Sequence, residues 1–171
     1  MANLPIRAMD RLAAEFDGRM WFYVEDLNSG VAHGNCADER YPTASVCNVC
    51  VMVELFRQVA EGACTLADRH RLAGSISRHG SGTLKWAVDG PELSLRDYCR
   101  LMMAISDNVA TDALIGLLGL EAINATMQSL GYPNLHTGAT LTRFHYAMAG
   151  MADAPGSPEN DQWMMERIHA Y

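Results

Sequence analysis

The run Ala44-Ser45-Val46-Cys47-Asn48-Val49-Cys50-Val51-Met52-Val53-Glu54-Leu55-Phe56 limits what this chain can fold into more than any other stretch. Val49, Met52, Val53 and Phe56 recur at helical spacing, which predicts a buried helix running to about Ala60 and stopping at Gly62. A buried helix needs other elements around it, so it sets the centre of the fold. Ser45 falls where that helix begins. A serine there either accepts a backbone N–H as an N-cap or offers its hydroxyl for chemistry.

The sequence on either side supplies the surroundings. Pro5 to Phe16 places Ile6, Met9, Leu12, Ala13 and Phe16 on one face and predicts an amphipathic helix closed near Gly18. Trp21–Leu27 and Val31–Gly34, joined by Asn28-Ser29-Gly30, read as a β-hairpin, and residues 36–43 as a loop leading to Ser45. Beyond Gly62, Thr65 to Asp68 has capping-box character, and residues 69–93, with Gly74, Gly80, Gly82, Gly90 and Pro91, read mostly as loop. A helix starting at Ser94 buries Leu95, Tyr98, Leu101, Met102 and Ile105 and ends at Ser106-Asp107-Asn108. Ala110–Leu118 and Glu121–Leu130 are further helices stopped by Gly119 and Gly131. Residues 132–146 read as irregular, and Ser157-Pro158 caps a last helix through Trp163, Met164 and Ile168. A single domain over residues 1–171 is expected, without internal repeats.

Charge and cysteine usage narrow the function classes. A net charge of −7 without a Lys/Arg cluster argues against nucleic acid and anionic membrane surfaces, leaving a small molecule or a protein as partner. No apolar stretch reaches the roughly 18 residues that span a bilayer, and the N-terminus lacks the pattern of a signal peptide. With five cysteines, an odd number, the expectation is a cytoplasmic chain without a disulfide framework. Cys47-Asn48-Val49-Cys50 has redox spacing, but its apolar helix favours small buried hydrophobes, and no second pair completes a metal site. The eleven methionines recur at helical spacing as core, so neither a metal nor another cofactor is expected.

Ser106-Asp107-Asn108 alone is a common cap sequence. Its context is more specific. Gly80-Ser-Gly-Thr-Leu84, Leu93-Ser-Leu-Arg-Asp97, the run from Leu101 through Ser106-Asp107-Asn108 to Thr111, and Gly119-Leu-Glu-Ala-Ile-Asn124 with Leu130-Gly131 follow a helix-initiating serine some sixty residues upstream. Together these resemble the class A β-lactamases and their penicillin-recognising serine-hydrolase relatives, over roughly residues 10 to 170. The resemblance implies an α/β fold of the DD-peptidase/β-lactamase type, present as its mostly helical subdomain with an N-terminal helix and hairpin. It implies that Ser45 is the acyl-accepting nucleophile, Ser106 a proton-relaying hydroxyl, and Asn108 the side chain that binds the substrate amide. β-Lactams, D-alanyl peptides or related amides and esters are the implied substrates.

Three departures from that pattern bear on function. The Ser-x-x-Lys lysine, one helical turn after the nucleophile, is replaced by Asn48, whose carboxamide cannot take a proton near neutral pH. Residues 136–150 hold no acidic side chain where the class A enzymes carry a deacylating glutamate; His145 is the candidate substitute base, and Arg143 is assigned a structural role. No Lys-Thr-Gly follows Ser106-Asp107-Asn108, so the C-terminal sheet strands are expected to be absent, through truncation or loss of half the site. An isolated hairpin is weakly stable, which predicts cover by helices or by self-association. The leading reading is a serine hydrolase of impaired activity. The alternative is a non-catalytic descendant that binds a ligand or protein through the same cleft, and the third is a thiol sensor at Cys47 and Cys50.

Overall fold

The computed structural model describes residues 4–73, 79–87 and 89–168, so Gly74 of the glycine-rich stretch lies outside the described residues. Contacts divide the chain into two compact units, Met1–Thr43 and Ala44–Tyr171.

The first unit contains helix α1 (Ile6–Glu15) and an antiparallel hairpin of β1 (Phe22–Glu25) and β2 (Ala32–Asn35). Pro5 occupies the N-cap of α1 rather than its first turn. Tyr23 pairs with Gly34 and Val24 with His33. Asp26 shapes the turn by accepting the Asn28 N–H (2.9 Å) and the Ser29 hydroxyl (2.8 Å), and Gly30 takes the left-handed φ of 70° that closes it. Within this unit His33 Nε2 lies 2.7 Å from Asp10 Oδ1, tying β2 to α1. No described residue of the unit is fully buried.

The second unit holds the core. A 3₁₀ turn (Ala44–Val46) leads into α2 (Cys47–Ala60), followed by β3 (Arg69–Arg71), a 3₁₀ turn (Leu84–Trp86), β4 (Glu92–Ser94), α3 (Leu95–Ile105), α4 (Asn108–Leu118), α5 (Leu120–Ser129), α6 (Leu141–Met148) and α7 (Pro158–Ile168). Helix α4 is the axis: nine of its eleven residues are buried, so α2, α3, α5 and α6 pack around it. Val51 and Leu55 of α2, Tyr98 and Met102 of α3, Leu114 of α4 and Ile123 of α5 form the main cluster. Tyr146, Ala149, Met151 and Met164 form a smaller one between α6 and α7. Among the described residues no single helix is long and apolar enough to cross a membrane.

Several sequence expectations are corrected. The buried face of α2 is Asn48, Val51 and Leu55, with Cys50 and Glu54 beside it, whereas Val49 is 42% and Phe56 48% exposed. Counting apolar residues favoured the wrong stripe because two polar residues, Asn48 and Glu54, belong to the inner one. In α3, Ile105 is likewise exposed and Cys99 is buried in its place. The Asp68 carboxylate accepts both the Thr65 N–H (2.9 Å) and the Thr65 hydroxyl (2.6 Å), while the Asp68 N–H goes to the Thr65 carbonyl, so the pair closes a turn into β3 instead of a reciprocal capping box, and β3 pairs with β4 antiparallel inside the stretch read as loop.

A further correction is α6, which begins in the stretch read as irregular. Thr140 caps it by accepting the Arg143 N–H, and the Asp112 carboxylate of α4 accepts the N–H groups of Leu141 (2.7 Å) and Thr142 (3.0 Å). A cap delivered from a residue nearly thirty positions upstream leaves no local trace.

Glu54 shows how the core tolerates a charge. Its buried carboxylate accepts from Arg57 Nε (2.7 Å) and Nη2 (2.8 Å), Gln58 (2.7 Å), and across to α5 the hydroxyl of Thr126 (2.6 Å). The guanidinium of Arg57 foremost, against the cost of burial, holds the acid down to about 2. A folded-state value below the ordinary 4.5 gives stability that is complete above pH 4.5 and drains away as the pH falls towards 2. Glu54→Ala leaves the other groups facing an unfilled polar space and is expected to cost about 3–5 kcal/mol in urea unfolding. Its acid limb between pH 4.5 and 2 should be flatter than that of the wild type.

Candidate active site

The expected nucleophile sits at the entry to α2. Ser45 is exposed, in the middle of the 3₁₀ turn, and the N-cap of α2 is Val46 without a side-chain cap bond. The capping reading of Ser45 is therefore set aside, because the 3₁₀ turn carries the serine ahead of the helical register in which it could cap. Ala44 before it has φ +47°, a left-handed conformation that costs a non-glycine residue about 1 kcal/mol or more.

Asn48, one turn further on, is buried and fully engaged. Its Nδ2 donates to the carbonyl of Met102 (3.2 Å), and its Oδ1 accepts from Thr111 Oγ1 (3.3 Å) and faces the Cys47 thiol (3.7 Å). Met102 lies in the last turn of α3, whose carbonyls lack partners within the helix, and Thr111 lies on α4. One carboxamide thus joins α2, α3 and α4. The two cysteines beside it are not poised as nucleophiles, since burial pushes both thiols up and Cys50 is almost wholly enclosed.

Ser106, Asp107 and Asn108 form the junction between α3 and α4. Ser106 ends α3 in the left-handed region (φ +53°), and its Oγ is buried without a hydrogen-bond partner among the described residues. Asp107 holds the junction: Oδ1 caps α4 through the Ala110 N–H (3.1 Å), while Oδ2 accepts the N–H groups of Thr83 (2.6 Å) and Leu84 (2.9 Å). The loop 79–84 therefore lies against the triplet, and the Asn108 N–H donates to the Ser81 carbonyl (3.1 Å). Gly80 and Gly82 make this approach possible. Both have positive φ, and a Cβ would collide with the Asn108 side chain at Gly80 and with Asp107 at Gly82. Lys85 pins the loop by donating to the Gly80 carbonyl (2.5 Å).

A polar cluster continues from this loop into α6. The Thr142 hydroxyl donates to Asp112 Oδ2 (2.6 Å), so its lone pair faces His79 Nε2 at 3.3 Å, which makes Nε2 the protonated nitrogen. His79 meets His145 edge to face, with ring centroids 4.8 Å apart, and the buried His145 Nδ1 has no partner among the described residues. Burial, followed by the His145 charge, pushes His79 down to about 4; burial also lowers His145 and raises Asp112. Arg143, expected to be structural, donates through Nη1 to the carbonyls of Ala152 (2.8 Å) and Ala154 (3.0 Å).

Of the residues singled out from sequence, Asn48 is linked to the triplet's helix directly, and Asn108 and Ser106 share the α3–α4 junction. Asp107, His79, Thr111 and Asp112 were missed as contributors. Asp107 had a legible signal, an aspartate directly before an apolar helix. For His79, Thr111 and Asp112 the partners come from other elements, so no local pattern marks them.

Comparison with known proteins follows this geometry. Solved structures place the fold with the class A β-lactamases and penicillin-binding proteins, as expected from the sequence. The β-lactamase from Sphaerobacter thermophilus DSM 20745 superposes with a TM-score of 0.73 at 27% identity, over 97% of this chain and 69% of that one. PBP-A superposes with a TM-score of 0.73 at 22% identity, over 94% of this chain and 66% of that one. The chain belongs to the β-lactamase enzyme family, whose sequence profile matches residues 5–170. It is 28% identical over 116 residues to β-lactamase L2 of Stenotrophomonas maltophilia, covering 67% of this chain and 38% of that protein. To β-lactamase SME-1 of Serratia marcescens it is 25% identical over 128 residues, 73% of this chain and 43% of that protein. The chain thus spans about two fifths of the length of these two relatives.

Two outcomes test the site's architecture. Asp107→Ala removes a helix cap and two loop anchors at once and should destabilise by about 2–4 kcal/mol in urea unfolding, more than a lost cap alone. His79 titrates in the same sense as Glu54, in a higher window: a folded value near 4 against 6.5 unfolded means that the unfolded chain binds more protons in between. Its contribution is intact above pH 6.5, falls as the pH drops, and levels off below about 4. Asp112, raised by burial, works in the opposite sense, so the measurement is the difference between wild type and His79→Gln. That difference should change with pH between 6.5 and 4 and be flat above it.

Proposed function

We propose that this chain carries the serine-hydrolase site of its family in an under-activated form, taking the acyl group of a small amide or ester onto Ser45 Oγ. β-Lactams and D-alanyl peptides are the substrate classes. The single observation that carries the reading is the α3–α4 junction: Ser106 presents a buried hydroxyl, unpartnered among the described residues, in a left-handed turn, beside an Asn108 that a glycine loop holds in place. An unsatisfied buried hydroxyl and local backbone strain both mark groups kept for a ligand rather than for stability.

In the acylation step the Ser45 oxygen attacks the carbonyl carbon, the hydroxyl proton passes to solvent water, and the C–N or C–O bond then breaks as its leaving group is protonated. Ser106 is the group assigned to hand a proton to that leaving group, and Asn108 to hold the substrate amide. Asn48 cannot serve as the base, because a carboxamide does not accept a proton and both of its ends are already bonded to Met102 and Thr111. Loss of a positioned base lowers the rate by about 10²- to 10⁴-fold, which is the sense in which the site is under-activated.

The engagement of Asn48 also favours a second reading, a binding protein that holds the same acyl compounds without reacting. Mass spectrometry after incubation with a penicillin-type acylating probe separates the two. The first reading predicts a slow adduct on Ser45, absent in Ser45→Ala, and formed about 10²-fold faster or more in Asn48→Lys where that variant melts cooperatively. Saturable binding with no adduct in either chain would establish the second reading and end the first.

A further inference from the structure

A cleft of about 480 Å³ opens on a different side of α4 from Asn48. Thr111, which bonds to Asn48, and Ala113, which lines the cleft, are about 200° apart around the helix. The buried floor comes from Leu72 after β3, Tyr98 of α3, and Asp112 and Ala113 of α4. Gly116 and Leu117 form one exposed wall, and the guanidinium-bearing residues Arg71 and Arg143 stand on the exposed rim.

Three properties define what this cleft can hold. Its size is that of a small-molecule site rather than a packing fault. Its lining is mostly apolar, through Leu72, Ala113, Leu117 and the Tyr98 ring, whose hydroxyl is already donated to the His70 carbonyl (3.2 Å). Its rim is cationic. In a chain of net charge −7, neither Arg71 nor Arg143 has a carboxylate within 4.0 Å among the described residues. Arg71 donates to the Asp89 carbonyl (3.3 Å) and Arg143 to those of Ala152 and Ala154, contacts that orient a guanidinium without neutralising it. The one acid in the wall, Asp112, has its oxygens occupied by Leu141 N–H, Thr142 N–H and the Thr142 hydroxyl, so it does not compete for the arginines.

We propose that this cleft binds a small amphipathic carboxylate, its apolar ring or chain seated on Leu72, Ala113 and Leu117 and its carboxylate met by the Arg71 and Arg143 guanidinium groups. A planar fork of N–H donors matches a carboxylate in shape as well as charge, and apolar burial next to it supplies the remaining affinity. The site is separate from the acyl site on the α2 side and does not depend on acylation of Ser45.

The test uses 1-naphthylacetate and its neutral primary amide on the whole chain, followed by backbone amide NMR shifts. The acid should saturably shift Ala113, Gly116 and Thr142 and bind about tenfold or more tightly than the amide, with the advantage shrinking as salt is raised. Gly116→Leu places a side chain in the cleft where a Cβ meets nothing within 4 Å, so the helix accepts it, and it should abolish the shifts. Arg71→Gln, at an exposed residue whose side chain bonds to a backbone carbonyl alone among the described residues, should remove about tenfold of the acid's affinity and leave the amide unchanged. Equal binding of acid and amide to the wild-type chain, or no shift at millimolar probe, overturns the proposal without recourse to any variant. Inorganic phosphate shifting the same amides as strongly as 1-naphthylacetate also overturns it, because the apolar wall would then contribute nothing.

Discussion

Helix α4 is buried on nearly every side, yet its N-terminal half carries Asn108, Thr111 and Asp112, with Asp107 capping it. Burying such groups unpaired costs about 1–3 kcal/mol each, so each has to find a partner on another element. Asp107 reaches the loop 79–84, Thr111 reaches Asn48 on α2, and Asp112 reaches the first turn of α6. The arrangement of the whole second unit follows from these obligations. An apolar α4 would pack against the same neighbours but would not specify which loop, which helix turn and which register meet it.

The same obligations build the candidate site. Asp107 keeps Asn108 and the Ser106 hydroxyl at a junction between two helices while bringing in a glycine loop that only glycine permits. Asn48 is a neutral bridge: it bonds to a carbonyl at the end of α3 and to a hydroxyl on α4. A buried position with those two partners suits a carboxamide, which donates and accepts at once. Asn48 therefore has a structural rationale of its own, and Ser45 lies exposed at the mouth of α2.

Most of the helices were legible because their own residues announce them. α1, α3, α4, α5 and α7 follow apolar periodicity with Ser94, Asp107 or Ser157 as caps and Gly119 as a stop, and the first hairpin follows its turn chemistry. Three of the failures share one cause. The inner face of α2, the helix α6 and the β3–β4 pair depend on polar partners distant in sequence: Glu54 on Thr126, α6 on Asp112, and β3 on a strand more than twenty residues later. Periodicity counts apolar side chains and is blind to a buried carboxylate whose cost is met elsewhere.

The sequence by itself determined the family, through a motif set running from Gly80 to Gly131. Those signals are local, carried by residue types at short spacings. The tertiary structure alone decided that Ser45 precedes the helix instead of capping it, that Asn48 serves as a bridge between three helices, and that Asp107 and Asp112 organise what surrounds them. A hydrogen bond between distant elements is a property of packed geometry, and no spacing along the chain encodes it.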